Sequence, residues 1–202
     1  FLYFIEMVDD SSKPRVIVFD LDGTLWSPEM YELWGGGGSP FRRDGAHTEH
    51  VLDRSGTKVA LLGETRSLLR MLKFDPSWSR TVLAISSTCD EPSWARECLR
   101  LFTVDDDKKV TFSELFSGYD EIYHECKSKH MEKILRKVHS NVDPSITFDD
   151  FIFFDNQTNN IESVSRNAGV YSVYCPRGMT PGVFEKGIEG WRAKRKHKSG
   201  SL

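Results

Sequence analysis

The chain alternates between short, wholly apolar runs and longer stretches in which apolar residues recur at every third or fourth position. The run Val16-Ile17-Val18-Phe19 breaks into Asp20-Leu21-Asp22-Gly23-Thr24; Thr81 to Ile85 breaks into Ser86-Ser87-Thr88; Phe151 to Phe154 breaks into Asp155-Asn156. A fourth run, Val170 to Tyr174, follows Gly169. Short continuous apolar runs bounded by polar breaks predict strands buried on both faces. Between them, Leu68, Leu69, Met71 and Leu72 predict a helix opening at 63–65, and Trp94, Ala95, Cys98, Leu99 and Phe102 predict a second. Met131, Ile134, Leu135 and Val138 predict a third over 129–139, and a fourth covers 160–167, stopped by Gly169. Strands alternating with amphipathic helices imply the α/β class, with a central parallel sheet in a three-layer α/β/α arrangement. Residues 51–62 predict a small hairpin turning at Ser55-Gly56, and the glycines at 35–38 predict a loop.

At 202 residues the chain is long enough for one well-buried core. A single domain over residues 14–190 is expected, with a loop-and-hairpin insert at about 27–62, an N-terminal extension over 1–13 and a basic C-terminal tail over 191–202. Met7 is a candidate native start. A net charge of −3 excludes a global basic field, so no nucleic-acid partner is expected. The basic run Arg192 to Lys198 reads first as a solvated helix end or frayed tail and only second as a nuclear-targeting signal. The apolar N-terminal stretch is too short to span a bilayer, so no membrane partner is expected. Four scattered cysteines, Cys89, Cys98, Cys126 and Cys175, lack metal or redox spacing and point to a reduced, cytoplasmic setting.

Candidate chemistry begins at Asp20 and Asp22. Two acids at the end of an apolar strand carry a desolvation cost and repel each other, and a hard divalent cation such as Mg2+ removes both penalties. One acid can then attack an electrophile while its neighbour moves protons, which is the equipment of phosphoryl transfer. Taken singly, each polar strand tip is an ordinary turn or helix cap. Three tips in succession, at Asp20/Asp22, Ser86 and Asp155/Asn156, converge on the crevice beyond the carboxyl ends of a parallel sheet, where such folds bind ligands.

With these residues in view, the chain resembles the haloacid dehalogenase superfamily of aspartate-nucleophile phosphatases. Asp20-Leu21-Asp22-Gly23-Thr24 matches its first motif, Ser86 its second, Lys127 its third with Lys129 as runner-up, and Asp155-Asn156, with Asn159 and Asn160 downstream, its fourth. The similarity is nearest to the magnesium-dependent phosphatase subfamily, through Phe19-Asp20-Leu21-Asp22, Thr24-Leu25-Trp26, Glu121-Ile122-Tyr123 and Phe153-Phe154-Asp155, and it spans roughly residues 14 to 180. The chain departs from that subfamily at three positions, carrying Gly23 for a usual Tyr, Ser87 for a usual Arg and Asn156 for a usual second acid.

The resemblance implies a haloacid dehalogenase-like Rossmannoid fold with a minimal cap and a Mg2+-dependent phosphatase working through an aspartyl-phosphate. Asp20 is then the nucleophile and Asp22 the general acid and base. Ser86 and Lys127 hold the phosphoryl group, together with Ser87 and the backbone of Leu21 and Asp22. Asp20, the Asp22 carbonyl and Asp155 hold Mg2+, and Thr24, Asn156, Asn159 and Asn160 support the site. The short gaps between motifs leave no room for a large lid domain, so phosphotyrosine or a protein-attached phosphosugar is the expected substrate. A small-metabolite phosphatase and a catalytically silent binding protein on the same fold are the alternatives.

Overall fold

The computed structural model describes residues 12–199 except 46, 106 and 108. Most of the extension expected at 1–13, including the candidate start Met7, therefore lies outside the described residues. Strands β1 (Val16–Phe19), β2 (Trp26–Ser27), β3 (Arg42–Arg43), β4 (His50–Leu52) and β5 (Lys58–Leu61) precede helix α1 (Thr65–Phe74). There follow β6 (Val82–Ser87), α2 (Pro92–Leu101), β7 (Thr103–Asp105), β8 (Val110–Thr111), α3 (Phe112–Leu115), β9 (Asp120–Ile122) and α4 (Lys127–Asn141). The chain closes with β10 (Phe151–Asp155), α5 (Thr158–Ala168), β11 (Tyr171–Tyr174) and α6 (Val183–Ser199).

Five strands form one parallel sheet in the order β11-β10-β1-β6-β9. Side chains alternate across it, and the two faces build two separate cores. Ile17, Phe19, Ile85, Ile152 and Phe154 pack with residues of α1, α2 and α6. Val16, Val18, Ala84, Phe151 and Phe153 pack with Met131, Ile134 and Val138 of α4 and Val164 of α5. Helices on both faces make the expected three layers. β9 was not expected: it is three residues long, begins with two acids, and sits at the sheet edge beside β6.

The register aligns the site. Phe19 pairs with Ile85 on one side and Phe154 on the other, so Asp20, Ser86 and Asp155 are level at three adjacent strand ends. All three share the parity of Val18, Ala84 and Phe153 and hence project toward the α4 face. Ser86 lies within β6, one residue before its end, and Asp155 is the last residue of β10, so neither follows its strand.

The expected hairpin is present as β4 and β5, and β2 and β3 extend it to a four-stranded antiparallel sheet. Val51 and Val59 of this insert are buried in the same core cluster as Phe19, so it is fused to the body rather than hinged above it. Asp53 anchors it. Its buried carboxylate accepts from Ser55 N, Ser55 Oγ, Thr57 N and, across the glycine loop, Gly38 N, at 2.7 to 2.9 Å.

The boundary expected at 190/191 gives way to a continuous helix. Within α6, Trp191 is buried and donates its indole N–H to the Asp149 carbonyl at 3.1 Å, Arg192 Nε reaches Ser12 O at 2.6 Å, and Arg195 pairs with Asp150. The first part of the basic run is thus bonded to the body, because a helix laid on the sheet brings these groups within reach of backbone oxygens. Gly190 permits that approach, since a Cβ there would stand 2.0 Å from Tyr171 Oη.

Burial raises the Asp53 pKa, but the donors around it prevail and hold it below the ordinary carboxylate range. Its stabilisation is therefore complete above the unfolded value of about 3.9 and is lost as pH falls through the folded one. Asp53→Ala is expected to lose about 3 kcal/mol at pH 7, with the gap to wild type narrowing toward pH 3, as read by urea denaturation.

Candidate active site

Three strand ends and the first residue of a helix meet in one buried cluster. Lys127 opens α4, is 2 % exposed, and places Nζ against Asp20 Oδ1, 2.9 Å from Asp155 Oδ2 and 2.7 Å from the Ser86 carbonyl. The ammonium thus bridges two carboxylates on neighbouring strands. Lys129, two residues on, is exposed and pairs with Glu132 at 3.4 Å, outside the cluster.

Each carboxylate has its own support. Asp20 Oδ2 accepts from Thr24 Oγ1 at 3.1 Å, and the same hydroxyl accepts from the Asn156 backbone N–H at 3.1 Å, linking the first strand tip to the last. Asp155 Oδ1 accepts from Gln157 N at 2.7 Å, and Asn160 Nδ2 reaches both Asp155 oxygens at 3.1 and 3.2 Å. Asn159 is exposed on the same first turn of α5. Asp155 is fully buried, whereas Asp20 keeps 6 % of its surface open and so remains reachable.

Asp22 lies beyond β1 and is held differently. Its Oδ1 accepts the Trp26 indole N–H at 2.6 Å and its Oδ2 the Met30 backbone N–H at 3.2 Å. Burial raises its pKa, against the pull of these donors and of the Cys89 thiol. Burial likewise pushes Asp20 up to about 7, Lys127 opposing and Asp155 adding to the rise. For Lys127 the order is reversed: burial disfavours its charge, but Asp20 and Asp155 outweigh it and raise its pKa. A cation shared by two acids is the arrangement these opposing pulls describe.

The remaining expected residues fall around this core. Leu21 is buried, and its carbonyl accepts from the N–H groups of Thr24, Leu25 and Trp26, closing the loop after β1. Ser87 is buried and its hydroxyl accepts from Cys89 N at 3.3 Å. Ser86 Oγ lies 3.1 Å from His130 Nδ1. Trp26 is fully buried and stacked on Phe102 at 5.9 Å, while Trp34 is 57 % exposed and donates to Glu91.

Two of the three departures from the subfamily pattern touch each other. Gly23 has φ +73°, and a Cβ there would stand 2.2 Å from Asn156 Nδ2, so the Asn156 amide occupies the space of a side chain at position 23. Asn156 Oδ1 is buried without a hydrogen-bond partner. Among the described residues no three His, Cys, Asp or Glu side chains converge as a metal cage. The groups at these strand tips whose chemistry suits a hard divalent cation are instead the Asp20 and Asp155 carboxylates and the unpartnered Asn156 oxygen.

Sequence reasoning missed His130 and the indole that holds Asp22. Both had a signal: His130 is three residues after Lys127 on one helix face, and Trp26 four residues after Asp22.

The sequence model of the acid phosphatase family matches residues 12–194. The chain is 32% identical to Magnesium-dependent phosphatase 1 of Homo sapiens over 178 residues, 87% of this chain and 86% of the relative. It is 27% identical to a HAD-like hydrolase superfamily protein of Schizosaccharomyces pombe over 158 residues, 77% and 83% of the two chains. Among solved structures, the N-terminal part of a Bacteroides fragilis protein, containing a phosphatase domain complexed with Mg, superposes with a TM-score of 0.51 at 17% identity. The match covers 89% of this chain and 40% of that one, and bears on the fold.

Removing Lys127 leaves two buried carboxylates facing each other. Lys127→Ala is expected to cost about 3 to 5 kcal/mol in denaturation without divalent cation, and adding Asp155→Asn to recover part of it.

Proposed function

The chain belongs to the acid phosphatase family, and from that premise we propose that it is a Mg2+-dependent phosphatase that cleaves phosphate monoesters through an aspartyl-phosphate on Asp20. The observation that carries this reading is the level placement of Asp20, Ser86 and Asp155 on adjacent strand ends, closed by Lys127. Asp20, the Asp22 carbonyl and Asp155 would hold Mg2+, and the ion would neutralise the repulsion between an anionic nucleophile and an anionic substrate.

The chain's own residues carry the steps. The hydroxyl of Thr24 orients Asp20 so that one carboxylate oxygen attacks phosphorus. As that O–P bond forms, the ester P–O bond breaks and the leaving oxygen takes a proton from Asp22, whose raised pKa suits it to be protonated first. Asp22 then accepts a proton from the water that hydrolyses the acyl phosphate, restoring both acids. Lys127, Ser86, Ser87 and the backbone N–H groups after Asp20 hold the phosphoryl oxygens.

The insert sheet shares the body's core, so among the described residues no separate lid stands over Asp20, which favours a bulky substrate such as phosphotyrosine or a protein-attached phosphosugar over a free metabolite. A silent binding role is disfavoured by the presence of every group the reaction needs. No helix among the described residues is long and apolar enough to cross a membrane, and the four cysteines are free, which suits a reducing compartment such as the cytoplasm.

Hydrolysis of p-nitrophenyl phosphate is expected to require Mg2+ and to fall by about four orders of magnitude in Asp20→Asn, the scale on which loss of a nucleophile acts. Asp22→Asn is expected to lose about 10² to 10⁴ on alkyl phosphates and much less on p-nitrophenyl phosphate, whose leaving group needs no proton. Equal losses on both esters contradict the acid role of Asp22, and wild-type rates in Asp20→Asn contradict the nucleophile.

A further inference from the structure

His130 takes no part in the steps above, yet it is wholly buried beside them. Its Nδ1 lies 3.1 Å from Ser86 Oγ, and its Nε2 is buried with no hydrogen-bond partner. The Tyr123 ring meets it edge to face at 4.5 Å. That ring is fixed in turn: its hydroxyl donates to Glu121 Oε2 at 2.6 Å and accepts from Lys133 at 2.7 Å, while Lys137 holds the other Glu121 oxygen at 2.6 Å. Burial foremost, with Lys127 and Lys133 adding and Glu121 and Glu125 opposing, lowers the His130 pKa to about 4, so the imidazole is neutral and carries one proton.

That proton has two possible homes. On Nε2, it is a buried donor without an acceptor, and Nδ1 then draws the Ser86 hydroxyl proton toward itself. Ser86 would face an anionic phosphoryl oxygen with lone pairs only. On Nδ1, the imidazole donates to Ser86 Oγ, the orphaned atom is a bare acceptor, and the Ser86 proton is released for another partner. A phosphoryl oxygen can only accept, so a hydroxyl that binds it must give up its single proton to it.

We propose that His130 is a positioning residue: its neutral ring is protonated on Nδ1, donates to Ser86 Oγ, and thereby turns the Ser86 hydroxyl proton toward the phosphoryl group. This rests on the reading of Ser86 as a phosphate ligand. Tyr123, Glu121, Lys133 and Lys137 keep the ring in the orientation that makes the donation possible.

Long-range ¹H–¹⁵N correlation on the full chain labelled at histidine nitrogen reads the tautomer directly. A protonated Nδ1 and bare Nε2 at pH 7 are expected; a protonated Nε2 or a cationic ring overturns the proposal. In kinetics, His130→Leu is expected to lose about tenfold in kcat/KM, the value of a hydrogen bond to a charged group. His130→Asn, whose amide nitrogen sits near the Nδ1 position, is expected to recover most of that loss. In a Ser86→Ala background His130→Leu is expected to cost nothing further; an equal tenfold loss there overturns the proposal. Failure of the phosphatase reading has a different sign, activity that does not depend on Asp20, whereas failure of this proposal is a wrong tautomer in an enzyme that still needs Asp20.

Discussion

A buried ammonium shared by two carboxylates is the interaction on which the site depends. Neighbouring strands of a sheet run about 4.8 Å apart, so like charges at level positions on β1 and β10 repel by about 3 kcal/mol at an effective dielectric near 20. Lys127 relieves that repulsion from the first residue of α4, and the Met131, Ile134 and Val138 face of the same helix is buried against the sheet. The apolar packing of α4 and the placement of the charge are therefore one constraint. A shift of the helix by one residue would turn its apolar face away and withdraw the ammonium together.

Strand parity adds the second condition. Because Asp20 and Asp155 project to the same face, one ammonium can serve both, and Asp22, beyond the strand, is left to a different environment. The two acids of the first motif are thus separated chemically: one sits against a lysine, the other against an indole and a backbone amide. Gly23, directly after them, lets the Asn156 amide pack on the loop. The departures at positions 23 and 156 form one local solution, a missing side chain filled by an amide from the neighbouring strand tip.

Much of this was legible in the chain. Continuous apolar runs marked β1, β6, β10 and β11, and their polar ends marked Asp20, Ser86 and Asp155, because strands buried on both faces have no other way to end than at a polar tip. The edge strand β9 escaped notice because three residues beginning with two acids carry no hydrophobic period, and its pairing comes from β6. The part of α6 from residue 191 onward reads as a basic tail because its charged residues obscure the buried Trp191. The partner of Ser86 was hidden for a different reason: a lone histidine on a helix face gives no sign of what it touches until the sheet register places β6 against α4. Spacing reveals which residues share a face, and tertiary packing decides which of them meet.

The central claim is that Asp20 is the nucleophile around which these constraints are arranged. Its most direct test is acid quenching of the enzyme during turnover of a phosphate monoester, followed by peptide mapping by mass spectrometry. The account predicts an acid-stable, base-labile phosphoryl group on the peptide containing Asp20. A phosphoryl group on any other residue, or inversion of configuration at phosphorus in an isotopically chiral phosphate ester, which marks direct attack by water in one displacement, would contradict it.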